Sequence, residues 1–160
     1  MAERVCVVMP TYNELENLHP TVGGIFACRP SVEILIVDDG SPDGTGEEAD
    51  HMAAEDPRIH VLHRAGKNGL GPAYLAGFAW ALERGFDVVC EMDMDGSHRP
   101  QDLPKLLEAL AVEGPCDDIV AEPGDRGRSR SWDCGRCRTG SGDWLASCGR
   151  RTYGRMVSFP

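Results

Sequence analysis

The sequence VVCEMDMD, residues 88–95, decides the fold of this chain. Its first five residues are mostly apolar, as in a strand that is buried on both faces of a parallel sheet. Asp93 and Asp95 follow at once, so two carboxylates stand where that strand ends. In extended chain, alternate residues project to the same side with their Cα atoms about 6–7 Å apart. Both carboxylates can therefore project into one small volume beyond the strand.

Short apolar segments alternate with helical patterns along residues 1–113, which predicts an α/β fold with a mostly parallel, Rossmann-like sheet. Strands are predicted at residues 5–9, 33–37, 59–63 and 88–92. Helices are predicted from about residue 15, and at about 46–55, 72–84 and 101–111. We expect Pro10 to end the first strand, and Asp38 or Ser41 to cap the second helix.

Acidic residues follow three of these strands. Glu14 comes after the first strand, Asp38 and Asp39 come directly after the second, and the Asp93–Asp95 pair follows the fourth. Ligands of such sheets bind beyond the carboxyl ends of the strands, where these acids should meet. Oxygen-only ligands suit Mg²⁺ or Mn²⁺, which would neutralise a diphosphate leaving group. The alternative interpretation is an acidic turn and a chance Asp-X-Asp triplet.

Two further segments carry candidate residues. Lys67 begins the sequence KNGLG, whose glycines and following helix would suit a phosphate, although the sequence is not a Walker A loop. His98 lies three residues beyond Asp95 and is a second candidate for the site.

Cys134 and Cys137 have the spacing of half a zinc site, but no well-spaced second pair accompanies them.

Composition narrows the class of protein. A chain of 160 residues fits one domain, and its net charge of −10 argues against nucleic-acid binding, which needs a basic surface. Its longest mostly apolar stretch, residues 73–82, is about half of what a membrane helix needs. The N-terminus has no signal-peptide pattern, so we expect a cytoplasmic protein.

The charge is unevenly distributed. Residues 1–113 hold 20 acids and 8 bases, whereas residues 114–160 hold 6 acids and 8 bases. The 8 bases of residues 114–160 are all arginine. We therefore expect a folded unit at residues 1–120 and an irregular tail at residues 121–160. This tail is either disordered or an out-of-frame reading of GC-rich DNA, a hypothesis that resequencing the gene and its mRNA would test.

Four motifs, taken together, resemble family 2 glycosyltransferases and, more narrowly, polyprenol (dolichyl)-phosphate mannose synthases of the actinobacterial type. They are PTYNE at residues 10–14, VDDGSPDGT at 37–45, GLG at 69–71 and MDMDGSH at 92–98. The resemblance covers about residues 4–113 in order and spacing. From about residue 121 the sequence departs from the family, so the resemblance implies a GT-A fold that is incomplete at its C-terminal end.

The resemblance also implies an activity. Mannose would move from GDP-mannose to a polyprenyl (dolichyl) phosphate with inversion, assisted by Mg²⁺ or Mn²⁺, and the missing half would impair the reaction. Such an acceptor is already anionic at neutral pH, because a phosphomonoester has a second pKa near ~6, so it needs no general base. Two alternatives stay open: a non-catalytic nucleotide-sugar-binding fragment, and a family 2 transferase that uses another nucleotide-sugar. Presentation of the lipid would require a membrane partner protein or peripheral docking at the cytoplasmic membrane face.

By position, the resemblance assigns roles to nine residues, and the KNGLG loop adds Lys67 as a tenth candidate. The guanosine pocket would be lined by Pro10, Tyr12, Glu14, Val37 and Asp39. The rest of the sugar-nucleotide would contact Lys67, Asp93 and Met94. Asp95 would be the catalytic residue, and the metal would be held by Asp93, Asp95 and Ser97.

Overall fold

A computed structural model describes residues 3–66, 69–113, 118–120, 130–131 and 155–158. Its strands are β1 (Val5–Thr11), β2 (Glu33–Asp38), β3 (Ile59–His63), β4 (Val88–Glu91), β5 (Asp118–Val120), β6 (Arg130–Ser131) and β7 (Arg155–Ser158). Its helices are α1 (Leu15–Cys28), α2 (Thr45–Glu55), α3 (Leu70–Glu83) and α4 (Leu103–Glu113). A 3₁₀ turn, Pro100–Asp102, leads into α4.

The strands form one sheet in the order β3-β2-β1-β4-β7-β5-β6. The pairs are parallel except for β5 with β6, which are antiparallel. Because β1 lies between β2 and β4, the order of the strands reverses on either side of β1. This reversal opens a crevice at the carboxyl ends of β1 and its neighbours, where doubly wound folds bind their ligands.

Apolar side chains pack on both faces of the sheet. On one face Val7 and Met9 of β1 pack with residues of α1, α2 and α4. On the other face Cys6 and Val8 pack with residues of α3. Alternate residues of one strand thus enter two different cores, which explains why the strands are continuous apolar runs.

Helix α3 approaches the sheet very closely at Gly77. A Cβ atom at this position would lie 2.3 Å from Cγ1 of Val8 and 3.3 Å from Cγ2 of Val37. Only a residue without a side chain allows this approach. The approach matters for the site because it fixes the first turn of α3 beside the carboxyl ends of β1 and β2.

The prediction that Pro10 ends the first strand was wrong, since β1 continues to Thr11. The N–H of Met92 donates to the carbonyl oxygen of Val8, so residues 8 and 10 both face β4. Strand β4 pairs with β1 only as far as Val8 opposite Glu91. An N–H at residue 10 would point towards β4, which does not pair with β1 that far along. The missing N–H of Pro10 therefore breaks no ladder bond, and its pairing with β2 is undisturbed.

Two described strands fall in the segment predicted to be an irregular tail. β7 lies between β4 and β5, and β6 lies at the edge of the sheet. The remainder of residues 121–160, including Cys134 and Cys137, lies outside the described residues. The division of the chain at residue 120 therefore stays a prediction. In the part of the chain that the structure describes, no helix combines the length and apolar character needed to cross a membrane.

Candidate active site

An open cleft of about 230 Å³ lies at the carboxyl edge of the sheet. Residues from the ends of β1, β2 and β4 and from the start of α3 surround it. They are Pro10, Thr11, Tyr12, Glu14, Asp39, Gly69, Leu70, Ala73, Asp93, Met94 and Asp95. The topology thus brings together the acids that follow three separate strands, as the sequence predicted.

The turn between β1 and α1 is held by the connection that follows β2. Asn13 has a positive φ of 61°, and its N–H donates to Oγ of Ser41 at 3.0 Å. The N–H of Glu14 donates to Oγ1 of Thr45 at 3.1 Å. Asparagine tolerates this left-handed conformation better than most residues do. The turn can therefore place Tyr12 and Glu14 at the wall of the cleft.

Asp38 and Asp39 have different surroundings although they are neighbours. Asp38 is buried and accepts hydrogen bonds from the N–H of Gly40 at 3.2 Å and from the hydroxyl of Ser41 at 2.5 Å. These bonds close the turn after β2. Asp39 instead lines the cleft, so the first aspartate shapes the loop and the second faces the ligand space.

The predicted cap of α2 was wrong. The residue before α2 is Gly44, and Oδ1 of Asp43 accepts from the N–H of Thr45 at 3.0 Å and from its hydroxyl at 2.5 Å. Asp38 and Ser41 bond to each other within their own turn instead. Asp43 therefore supplies the acceptor at the start of α2.

An ion pair holds Asp39 at the cleft. Nη1 of Arg64 lies 2.5 Å from Oδ1 of Asp39, and the two side chains are 15% and 7% exposed. The N–H of Arg64 also donates to the carbonyl oxygen of Asp38 at 2.8 Å. Arg64 directly follows β3, so this bond extends the pairing of β3 with β2. A cation among so many acids reduces their mutual repulsion.

Asp93 is held from two sides. The hydroxyl of Tyr74, on α3, donates to Oδ1 of Asp93 at 2.5 Å. The N–H of Asp93 donates to Nδ1 of His98 at 2.7 Å. Burial and the contact with Asp93 raise the pKa of the Tyr74 hydroxyl well above its usual range. Tyr74 therefore remains a hydrogen-bond donor at physiological pH.

Asp95 is stabilised as a carboxylate. Its Oδ1 accepts from the N–H of Ser97 at 2.9 Å. Hydrogen bonds from the Ser97 side chain and backbone lower the pKa of Asp95 below its usual range. Asp95 is consequently ionised at neutral pH, as a metal ligand must be.

The chemistry of the cleft fits a divalent cation that is shared with a ligand. Within the described residues no three His, Cys, Asp or Glu side chains form a ready-made metal site. Two carboxylates, Asp93 and Asp95, do line the cleft. Mg²⁺ is commonly bound by one or two protein carboxylates and completed by phosphate oxygens and water. The residues present match a site in which two protein carboxylates share the cation with a phosphate ligand.

The structure describes nine of the ten predicted site residues, of which seven line the cleft and two do not. The seven are Pro10, Tyr12, Glu14, Asp39, Asp93, Met94 and Asp95. Val37 is fully buried in β2 and packs near Gly77, so only its backbone could meet a ligand. Ser97 acts through its hydrogen bond to Asp95. Lys67 lies outside the described residues, and the roles predicted for all ten stay predictions.

Sequence reasoning missed several residues of this region. Thr11 belongs to a motif that was recognised, but no role was predicted for it. Arg64 carried one available signal, since a base directly after a strand stands where the acids converge. Tyr74 carried none, because its contact with Asp93 depends on how α3 packs on the sheet.

The family profile described as Glycosyl transferase family 2 matches residues 6–140. The chain is 60% identical over 107 residues to an undecaprenyl-phosphate mannosyltransferase of Micrococcus luteus, covering 67% of this chain and 44% of that protein. It is 52% identical over 134 residues to a polyprenol monophosphomannose synthase of Mycolicibacterium smegmatis, covering 81% of this chain and 50% of that protein. The chain therefore spans about half the length of these curated relatives.

Among solved structures, the chain resembles a mannosyltransferase from Pyrobaculum calidifontis in complex with GDP-Man and Mn²⁺. The TM-score is 0.59 at 23% identity, over 76% of this chain and 35% of the other. It also resembles TarS of S. aureus, with a TM-score of 0.58 at 18% identity, over 80% of this chain and 39% of the other. These likenesses confirm the predicted α/β fold of the GT-A type. The comparisons give no support to the predicted membrane partner protein.

Proposed function

Because this chain belongs to glycosyltransferase family 2, we propose that it forms the nucleotide-sugar-binding part of an inverting mannosyltransferase. The donor is GDP-mannose and the acceptor is a polyprenyl phosphate. The observation that carries this proposal is the meeting of Asp39, Asp93 and Asp95 in one cleft at the carboxyl edge of the sheet. The relatives named as polyprenol-phosphate mannosyltransferases support the choice of sugar and acceptor.

The nucleoside end of the donor occupies the part of the cleft formed by β1 and β2. Tyr12 and Pro10 offer apolar surface to a base or ribose, whereas Glu14 and Asp39 offer acceptors for N–H or hydroxyl groups. Guanine presents adjacent N–H donors, which suits a carboxylate acceptor. Arg64 holds the Asp39 carboxylate in place for this contact.

The diphosphate occupies the end of the cleft where β4 and α3 meet. Asp93 and Asp95 would hold Mg²⁺ or Mn²⁺, which supplies the charge that stabilises the nucleoside diphosphate as it leaves. Gly69 and Leu70 bring the start of α3 to the same place. Backbone N–H groups at the start of a helix favour anions. Lys67, two residues earlier in the chain, is proposed to add a cation to this end of the cleft.

The acceptor phosphate attacks the anomeric carbon from the side opposite the leaving diphosphate, which inverts the configuration. A phosphomonoester is largely anionic at neutral pH, so the protein positions and stabilises rather than deprotonates it. With a lipid acceptor, this part of the protein works at the cytoplasmic face of the membrane as a peripheral domain.

The length of the chain favours a second candidate function. The chain spans about half of its curated relatives, and we propose that the groups that complete the acceptor site belong to the half that it does not match. The chain alone would then bind a nucleotide-sugar without transferring the sugar.

Calorimetry with the full chain tests both candidates. GDP-mannose is titrated into the protein in the presence of MnCl₂ or of EDTA. UDP-glucose serves as the competing nucleotide-sugar. A parallel assay follows transfer of mannose to a polyprenyl phosphate in detergent. Metal-dependent binding with transfer supports the enzyme, and binding without transfer supports the fragment. If UDP-glucose binds as tightly as GDP-mannose, the proposed donor is wrong.

A further inference from the structure

Tyr74 is a buried polar residue that the proposed function has not yet used. It lies one turn into α3 and is 8% exposed. Its neighbour Ala73 lines the cleft. Its hydroxyl reaches from α3 across to the chain that follows β4 and donates to Oδ1 of Asp93 at 2.5 Å.

The aromatic ring and the hydroxyl of Tyr74 have separate surroundings. The ring stacks on Phe78 with centroids 5.7 Å apart and belongs to the apolar cluster under α3. Phenylalanine would serve this packing equally well. A buried hydroxyl is costly unless it finds a hydrogen-bond partner, and here that partner is a carboxylate of the cleft. The hydroxyl therefore has Asp93 as its specific partner.

Asp93 needs such support because it lies beyond the end of β4. The last described backbone bond to the sheet in this region runs from the N–H of Met92 to the oxygen of Val8 at 3.0 Å. After Met92 the backbone is held by the bond from the N–H of Asp93 to Nδ1 of His98. That bond fixes the main chain of Asp93, while Tyr74 fixes its carboxylate.

We infer that Tyr74 is a positioning residue for the metal site, an inference that rests on the proposed function. Its hydroxyl holds Oδ1 of Asp93 and so presents the other carboxylate oxygen to a divalent cation shared with the nucleoside diphosphate. Supporting hydrogen bonds of this kind orient ligands, and their loss typically lowers metal affinity about tenfold to 100-fold.

The test is a Tyr74→Phe variant of the full chain, titrated with GDP in the presence of Mn²⁺ and in the presence of EDTA. We expect GDP affinity in Mn²⁺ to fall by about tenfold or more, while affinity in EDTA stays within about twofold of wild type. Thermal unfolding, followed by circular dichroism, reports the stability of each variant. A Phe78→Leu variant is the matched control, because it loosens the same packing and keeps the hydroxyl.

A double-mutant cycle links the effect to Asp93. In an Asp93→Asn background, Tyr74→Phe should no longer change GDP affinity in Mn²⁺, because the carboxylate that it orients is gone. Equal losses in both backgrounds would overturn the inference, as would a Tyr74→Phe variant that binds GDP and Mn²⁺ like wild type. If wild type shows no metal-dependent binding, the proposed function fails and the inference with it.

Discussion

Arg64 and Asp39 form an ion pair with 2.5 Å between Nη1 and Oδ1, and both side chains are largely buried at the wall of the cleft. Each strand contributes one partner, since Asp39 follows β2 and Arg64 follows β3. A charge in this position is tolerated because its partner is held beside it. Removing one member would leave the other buried and unpaired, which is far more costly than losing a surface pair.

We therefore expect Arg64→Met to destabilise the protein by about 3 kcal/mol. Chemical denaturation of the purified chain measures this loss. Arg99→Met is the control, because Arg99 pairs with Asp102 and is 67% exposed. Such surface pairs contribute about 1 kcal/mol or less. Equal losses in the two variants would contradict the assignment of Arg64 as a buried structural cation.

Gly77→Ala tests the close approach of α3 to the sheet. Its new methyl group would lie 2.3 Å from Cγ1 of Val8, so helix or strand must move. Overpacking of this kind costs about 1–3 kcal/mol. The control is Gly23→Ala in α1, where nothing lies within 4 Å of the new atom. That control should gain up to about 1 kcal/mol, because alanine is the better helix former. Unchanged or increased stability of Gly77→Ala would show that α3 packs less closely.

Replacement of Asp93 and Asp95 by alanine tests the metal site directly. Both residues line the cleft, and we expect the double variant to bind GDP-mannose equally in MnCl₂ and in EDTA. Calorimetry measures the two affinities, and thermal unfolding checks that the fold persists. Glu83→Ala removes an exposed acid from the last residue of α3 and should keep the metal dependence. Persistent metal dependence in the double variant would refute the site.

The stability of the protein should depend on pH through His63. The hydrogen bond that His63 donates to the Asp50 carboxylate, followed by the charge of Asp50, raises the pKa of His63 above its usual value near 6.5. Its contribution is therefore complete below pH 6.5 and is lost as the pH rises through the raised value. The difference in Tm between wild type and His63→Gln should be larger at pH 6 than at pH 9. Asp50→Asn should abolish most of this pH dependence. A Tm difference between wild type and His63→Gln that increases with pH would contradict the prediction.

Much of the fold could be predicted because its signals are local. The apolar runs of β1 to β4 and the spacing of apolar residues in the helices indicated the alternation of strands and helices. Topology then placed Asp39, Asp93 and Asp95 at one edge. The conformation of single residues was harder to predict. Pro10 is tolerated inside β1 only because β4 stops opposite Val8. The length of β4 cannot be read from the sequence of β1.

The contacts around the site depended on packing between distant segments. Tyr74 and Asp93 are 19 residues apart, and their hydrogen bond requires α3 to lie across the end of β4. Arg64 and Asp39 are 25 residues apart, and their pairing follows from β3 lying beside β2. Neither distance produces a periodic signal in the sequence. For the same reason the sequence favoured Asp38 or Ser41 as the cap of α2, since their bond to each other was not foreseen.

The turn between β1 and α1 carries a consequence for synthesis on the ribosome. The N–H groups of Asn13, Glu14 and Leu15 donate to Ser41, Thr45 and Asp43, which are made 28 to 31 residues later. A nascent chain that has not yet emerged past Thr45 cannot give this turn its acceptors. This wall of the cleft must therefore take shape after the second β-α unit has left the exit tunnel, even though Tyr12 and Glu14 are translated before that unit.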